Sequence, residues 1–189
     1  LVLTGKDCGL EERAPMCGIP YHAADSYVSK LVSQGFKVAI GEQVEDPKLA
    51  KGLVKREIIR VITPGTQTEE TALEEGKNNY LSAIYPGNSG IGLATVDIST
   101  GELYSLSVSD SKELLDEISR FSPKEILCPI GFLEDKALSS ALDSRFSLSI
   151  TEKEKEYFGK EEADKILSSH FQLMFSCSAH VVLTVRTNG

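Results

Sequence analysis

Apolar and polar positions along the chain separate it into two parts with different periodicities. In the first part, apolar residues at helical spacing predict a helix over residues 23–34, and Gly35 follows where a left-handed cap is favoured. The apolar residues of this helix are expected to face a core; they are Tyr27, Val28, Leu31 and Val32. Strand patterns cover Phe36–Val44 and Glu57–Thr63, and Pro64-Gly65 then predicts a turn. The first part is therefore predicted to be a small mixed α/β module.

The second part begins with three strand-like runs, Tyr80–Tyr85, Ile91–Ile98 and Glu102–Val108. The last two runs are joined by Ser99-Thr100-Gly101, which predicts a tight turn between antiparallel strands. Residues 67–77 before them are acidic and polar, as is typical of a connection between domains. A short helix at Ala72–Gly76 would make that connection a structured one.

Helices and strands alternate after the third strand. A helix is predicted to begin at an N-cap among Ser109, Asp110 and Ser111, with one apolar face made of Leu114, Leu115, Ile118 and Phe121. The remaining predicted elements are a strand at Glu125–Cys128, a helix around Phe132–Leu142, a strand at Phe146–Ile150 and a helix at Glu161–Phe171. Three antiparallel strands followed by this alternation are the pattern of a ribonuclease H-like fold.

Length and composition fit one large domain or two small ones, with 189 residues, 41% hydrophobic and 25% charged. No apolar run approaches the roughly 20 residues that cross a bilayer, and no leader is visible, so we expect a cytoplasmic protein without a membrane partner. The cysteines form no C-x-x-C pair, which favours reduced thiols and no metal site; they are Cys8, Cys17, Cys128 and Cys177.

The net charge of −8 argues against an overall electrostatic attraction to nucleic acid. The segment from Lys48 to Arg60 is an exception, since it carries five basic residues and one acid, Glu57. Such a segment is compatible with contacts to phosphates, although the same composition is also common on a solvated protein surface.

Several ordered motifs resemble one known family. The most informative is Met16–His22, which reads Met-Cys-Gly-Ile-Pro-Tyr-His. It is followed by Val38–Gln43 and by Thr63-Pro64-Gly65-Thr66, with weaker agreement through residues 78–81 and 94–101. Together these segments resemble the mismatch-recognition and connector domains of the MutS family of DNA mismatch-repair proteins.

The resemblance implies an α/β chain in which a mismatch-recognition domain, truncated at its N-terminus, precedes a ribonuclease H-like connector domain. The expected boundaries are 1–66 for the first domain, 67–79 for the linker and 80–172 for the connector domain. Residues 173–189 match nothing expected of the family, although the β-branched run Val181–Val185 would also suit a closing strand.

The resemblance also implies contacts and partners. The residues expected on or near the DNA side are Lys6, Arg13, Met16, Tyr21, Lys55, Arg56 and Arg60. The basic members would position phosphates without reading bases, and Tyr21 is equally well explained as a core residue. The implied partners are mispaired double-stranded DNA and, through the connector domain, MutL. The full-length family forms homodimers, whereas this fragment is expected to be a monomer.

The chain is expected to be a binding piece and not an enzyme. The family's Phe-x-Glu motif, which stacks at the mispair, does not occur in its expected place, and the family's G-x-x-x-x-G-K-[ST] phosphate loop does not occur in this sequence. ATP and Mg²⁺ therefore belong to the full-length family, and no cofactor is expected in this fragment.

Two functions other than mismatch repair are also compatible with parts of the sequence. A ribonuclease H-like nuclease would use Asp97 as a metal ligand, with Glu102, Asp116 and Glu125 as further carboxylates, but their spacing does not bring them together convincingly. Asp97 is more simply explained by side-chain bonds to the backbone amides of the following turn. The other function is an interaction domain that acts on branched DNA or translation complexes, and the recognition-type first domain argues against it.

Overall fold

The computed structural model describes residues 3–7, 9, 12–46, 48, 52, 54–68 and 77–171. Within them the chain forms a first module, residues 3–66, and a second module, residues 79–171. Several predictions lie outside the described residues: the short helix at residues 72–76, the tail 173–189 with its alternative strand, and the environments of Cys8 and Cys177.

The first module contains two separate two-stranded antiparallel sheets and one helix. Its elements are β1 (Leu3–Lys6), β2 (Ala14–Cys17), α1 (Ala24–Ser33), β3 (Val38–Gln43) and β4 (Arg56–Ile62). β1 pairs with β2, and β3 pairs with β4. The predicted helix and the later two strands are confirmed with small shifts of their ends, whereas the β1–β2 hairpin was not predicted.

α1 ends at the predicted glycine cap, but its apolar face is less buried than predicted. Gly35 has a φ of 87°, its N–H donates to the Val32 oxygen at 2.9 Å, and the Phe36 N–H donates to the Leu31 oxygen at 3.2 Å, which together close the helix. Val32 is 1% exposed, but Leu31 is 38% exposed, so the expected apolar face is only partly covered. Among the described residues of this module, Val32 and Ile62 are the buried aliphatic side chains.

The second module is a five-stranded sheet in the order β7-β6-β5-β8-β9. Its strands are β5 (Tyr80–Gly87), β6 (Gly90–Asp97), β7 (Glu102–Val108), β8 (Glu125–Pro129) and β9 (Ser149–Lys153). Its helices are α2 (Ser111–Phe121), α3 (Lys136–Arg145) and α4 (Lys160–Phe171). β5, β6 and β7 are antiparallel neighbours, whereas β8 and β9 run parallel to β5. The predicted pattern of three antiparallel strands followed by alternating helices and strands is confirmed.

The core of the second module lies between the sheet and two helices, α2 and α3. Its buried members are Ile84, Leu93, Val108, Leu114, Ile118, Ile126, Leu138 and Leu142. Asp110 caps α2 by accepting the Glu113 N–H at 2.9 Å, and Glu113 accepts the Ser109 N–H at 2.7 Å in return. Hydrogen bonds from Ser109 hold the pKa of the Glu113 carboxyl below its ordinary value.

Two elements of the second module differ from their predicted positions. α3 begins at Lys136 and not at Phe132, because Asp135 accepts the Ala137 and Leu138 N–H groups and so caps the helix there. β9 covers Ser149–Lys153 and not Phe146–Ile150, because its parallel pairing sets Ser149 opposite Glu125. Of the helices in the described ranges, none has the length and apolar composition needed to span a membrane.

Cys128 lies fully buried in β8, and this burial raises the pKa of its thiol to about 11. Because the thiolate is the reactive form, we expect Cys128 to resist a thiol reagent at pH 8 while the exposed Cys17 reacts. The measurement uses a variant in which Cys8 and Cys177 are replaced by serine, with thiols titrated before and after denaturation. Equal reaction rates at both thiols in the native protein would contradict this expectation.

The Cys128 pKa also predicts a pH dependence of stability. The folded state keeps the thiol protonated at a pH where the unfolded state releases the proton. The contribution of the buried thiol to the free energy of unfolding is therefore present below about pH 9 and is lost as the pH rises toward about 11. Urea unfolding at pH 8 and pH 10.5 measures this effect. Between these two pH values, the free energy of unfolding should fall less for Cys128→Val than for the unchanged chain.

Candidate nucleic-acid interface and the junction between the modules

The β1–β2 hairpin carries three of the residues expected on the DNA side. Lys6 pairs with Ala14 and Thr4 pairs with Met16, so Lys6 and Met16 share one face of the hairpin. Arg13 lies on the other face, where its Cβ would come within 3.1 Å of a Cβ added to Gly5. The hairpin therefore does not bring Lys6 and Arg13 together on one surface.

Tyr21 follows the hairpin in a short 3₁₀ turn, Tyr21–Ala23. The Pro20 oxygen accepts the Ala23 N–H at 2.9 Å, which holds the turn before α1. The Tyr21 side chain is 91% exposed, so the alternative that it is a core residue is wrong. With Met16 and Ile19 also at the surface, Tyr21 offers an exposed aromatic ring beside the hairpin.

A bulge in β4 determines which basic residues share a face. Ile40 pairs with Arg60 and Gly41 pairs with Ile58, so Ile59 is the extra residue. Because Ile40 and Gly41 point to opposite faces of β3, their partners Arg60 and Ile58 do too. Arg56 follows the parity of Ile58, which places Arg56 and Arg60 on opposite faces although they are four residues apart.

Acidic side chains lie beside the basic residues of β4. The Lys55 ammonium is 2.5 Å from the Glu57 carboxylate, and both groups are exposed. Glu42 pairs with Glu57 across the strands, on the face that Arg60 also occupies. The basic composition of residues 48–60 is thus partly neutralised in space by β3. Arg56 faces the other side, with Gln43 as its cross-strand partner.

The turn Thr63–Thr66 connects β4 to the second module. The Thr66 N–H donates to the Thr63 oxygen at 3.1 Å, and Thr66 Oγ1 accepts the Thr63 N–H at 2.9 Å. Asn79, at the start of the second module, donates from Nδ2 to the oxygens of Pro64 and Gln67, each at 3.1 Å. The predicted turn is confirmed, and it is bonded directly to the second module.

Glu125 meets the same turn from the second module. It is 2% exposed, and its Oε2 accepts the Gly65 N–H at 3.3 Å. Its Oε1 accepts the Thr151 hydroxyl at 2.8 Å and lies 3.8 Å from Lys37 Nζ. Sequence reasoning named Glu125 only as a candidate metal ligand, whereas its contacts join the two modules.

Asp97 is fully buried at the end of β6, and its carboxylate is occupied by hydrogen bonds. Oδ2 accepts the Asn79 N–H at 3.0 Å, and Oδ1 accepts the N–H and hydroxyl of Ser99 at 2.9 and 2.6 Å. The expectation that Asp97 supports the turn through backbone amides is confirmed.

The other carboxylates of the nuclease alternative lie in different surroundings. Glu102 accepts from Asn78 Nδ2 at 3.1 Å and from the Tyr80 hydroxyl at 3.4 Å, and Asp116 lies on the exposed side of α2. Burial raises the pKa of Tyr80, and the Glu102 charge adds to this rise. In the part of the chain that the structure describes, no three His, Cys, Asp or Glu side chains are placed to hold a metal ion. This arrangement does not favour a two-metal nuclease.

A group of apolar side chains, of which three are exposed and Phe158 is partly buried, lies at the opposite end of the second sheet. We call it the aromatic edge, and it consists of Tyr85, Ile130, Tyr157 and Phe158. Tyr85 stacks on Phe158 with ring centroids 5.6 Å apart, while Tyr157 is 74% exposed with Lys153 Nζ 5.3 Å from its ring centroid. These residues lie near or just after the C-terminal ends of β5, β8 and β9, which run parallel, so they lie at the same end of the sheet. Sequence reasoning did not identify this surface.

Comparison with protein families gives two adjacent matches. Residues 1–71 match the model described as MutS domain I, and residues 79–174 match the model described as MutS domain II. The two matches follow one another in the order expected from the motifs. One ends within the connection between the modules, at residue 71, and the other begins just after it, at residue 79.

Individual relatives agree with the family models. The chain is 50% identical to the DNA mismatch repair protein MutS of Acetivibrio thermocellus over 175 residues, which cover 91% of this chain and 20% of that protein. It is 49% identical to the MutS of Lachnoclostridium phytofermentans over 92% of this chain and 19% of that protein, and 56% identical to the MutS of Alkaliphilus oremlandii over 72% and 16%. The chain thus spans about a fifth of the length of the curated relatives it matches.

The buried position of Asp97 predicts a structural effect of its substitution. In Asp97→Asn, an NH₂ group would replace one carboxylate oxygen and would face a backbone N–H that needs an acceptor. We therefore expect the free energy of unfolding to fall by about 1–3 kcal/mol. Asp116→Asn on the exposed side of α2 is the matched control and should change stability by less than about 0.5 kcal/mol. Urea unfolding monitored by circular dichroism measures both. Magnesium-dependent DNA cleavage that Asp97→Asn abolishes without loss of stability would support the nuclease alternative.

Proposed function

Because this chain belongs to the MutS family, we propose that it acts in DNA mismatch repair, as the recognition and connector portion of a protein that binds mispaired DNA. The observation that carries this proposal is the ordered match of both family domains over most of the chain. ATP and Mg²⁺ are proposed to act elsewhere in the full-length homodimer, so we assign no cofactor and no catalytic residue to these two modules. As a separate piece, the chain is proposed to be a cytoplasmic monomer.

The DNA-contacting surface is proposed to lie on the first module. Tyr21 supports this because it is 91% exposed, and the exposed Met16 shares a face of the hairpin with Lys6. Arg56 supports it because its cross-strand partner in β3 is the neutral Gln43. The basic side chains would contact phosphates, so binding would be salt-sensitive and independent of base sequence.

The MutL-contacting surface is proposed to lie on the second module, at the aromatic edge. Exposed aromatic side chains are enriched at the centres of protein interfaces, where they contribute much of the binding energy. Tyr85 and Tyr157 are suited to this role because both are exposed. The Tyr85 ring stacks on Phe158, and the Lys153 ammonium lies over the Tyr157 ring. The strand order and the parallel β8 and β9 also support a ribonuclease H-like connector domain.

Because the bulge in β4 places Arg56 and Arg60 on opposite faces, the salt dependence of duplex binding can show which face contacts DNA. Arg56→Ala should lower the slope of log affinity against log salt by about 1, the value expected for one phosphate contact. Arg60→Ala should leave the slope unchanged, because Arg60 shares its face with Glu42 and Glu57. Fluorescence anisotropy with a labelled duplex over a salt series measures both, and Lys136→Ala on α3 is the control. Equal effects of Arg56→Ala and Arg60→Ala would contradict this assignment.

Two exposed tyrosines allow the two proposed surfaces to be separated. Tyr21→Ala should weaken duplex binding and leave MutL binding unchanged, since Tyr21 belongs to the first module. Tyr157→Ala should weaken binding to the purified N-terminal domain of MutL by more than about 1 kcal/mol, the usual size for an interface anchor, and leave duplex binding unchanged. Anisotropy and an optical biosensor measure the two affinities. If each substitution affected both partners or neither, the division of surfaces would be wrong.

A further inference from the structure

We propose that Glu125 and the Thr63–Thr66 turn form a latch that fixes the orientation of the first module relative to the second. The latch consists of the Glu125 carboxylate, the Gly65 backbone, Lys37, Thr151 and Asn79. Its role is independent of any particular DNA or protein partner, because every contact lies within this chain.

The Glu125 carboxylate is the centre of the latch. A buried carboxylate is costly unless donors surround it, and here the donors come from both modules. Gly65 N–H and Lys37 Nζ approach from the first module, at 3.3 and 3.8 Å, and the Thr151 hydroxyl approaches from the second at 2.8 Å. Lys37 Nζ also donates to Thr151 Oγ1, so the two modules share one small polar network.

Gly65 permits the close approach of the turn. A Cβ added at Gly65 would lie 2.9 Å from Glu125 Cβ and 3.0 Å from Leu81 Cβ, closer than such atoms normally come. A larger residue would therefore push the turn away from β5 and β8. The absence of a side chain at Gly65 is what lets its N–H reach the Glu125 carboxylate.

Asn79 holds the same turn from the other side. Its side-chain amide donates to the backbone oxygens of Pro64 and Gln67, and its own N–H donates to Asp97. Asp97 in turn is bonded to the β6–β7 turn through Ser99. The position of the Thr63–Thr66 turn is thus determined by two buried carboxylates at one end of the second sheet.

A cleft of about 880 Å³ lies beside the latch, between the end of α1 at Val32–Gly35 and the second-module segments Asn78–Tyr80, Phe121–Lys124 and Ser147–Ser149. Because this space separates the modules beside the latch, the polar contacts of the latch restrain their relative orientation. Breaking those contacts would leave each module folded and allow the first module to reorient.

Residual dipolar couplings of backbone amides in the weakly aligned full chain test the latch. In the unchanged chain, one alignment tensor should fit the amides of β3 and β4 together with those of β5–β9. In Glu125→Ala, the single tensor should be lost, and the first module should show smaller couplings than the second. Couplings within the second module should remain mutually consistent, which separates a change of orientation from unfolding.

Matched variants complete the experiment. Glu152→Ala is the control, because Glu152 is a carboxylate on the neighbouring strand β9 that accepts the Gly131 N–H at 3.1 Å within the second module. It should keep the single tensor. Gly65→Ala and Lys37→Met alter the first-module side of the latch and should have the same effect as Glu125→Ala. The Lys37 side chain is 39% exposed, so it can be replaced without opening the core. One tensor that still fits both modules in the folded latch variants would overturn the proposal.

Discussion

Two buried carboxylates at one end of the second sheet are the constraint on which the arrangement of this chain depends. Glu125 begins β8 and Asp97 ends β6, so both lie at the end of the sheet where β5 starts. Each carboxylate needs donors because the interior provides no water to solvate it. Glu125 accepts hydrogen bonds from Gly65 and Thr151, and Asp97 accepts them from Asn79 and Ser99. The bonds from Gly65 and Asn79 place the connection between the modules against the sheet.

The two proposed binding surfaces lie at opposite ends of the same strands. The first module meets β8 at Glu125, whereas the aromatic edge begins where β5, β8 and β9 end, at Tyr85 and Ile130. β5 and β8 therefore connect the module proposed to contact DNA to the proposed partner surface through one hydrogen-bonded sheet. A sheet of this kind transmits position well, because its ladder of backbone bonds resists local distortion. The junction at Glu125 and Gly65 is a place where a change at the proposed partner surface would reach the first module.

Elements with strong local signals were predictable from sequence, and those set by tertiary contacts were not. α2 has an N-cap and an apolar face that are visible in the sequence, so its beginning and its buried side follow from local chemistry. β1 and β2 have only four residues each and contain Gly5 and Pro15, so no alternating pattern reveals them. β9 was misplaced because the apolar run before it packs on the core, while the parallel pairing with β8 selects the later residues.

The candidate site was predictable in its residue types but not in its geometry. Arg56 and Arg60 are four residues apart, so in a regular strand they would share a face, and the extra residue Ile59 reverses that relation. The basic composition of residues 48–60 likewise changes meaning once β3 brings Glu42 opposite Glu57. Glu125 is 60 residues from Gly65 along the chain, and only the folded arrangement makes one the acceptor of the other. A charge pattern in a hairpin is therefore informative about ligand binding only when it is considered together with the opposite strand and its register.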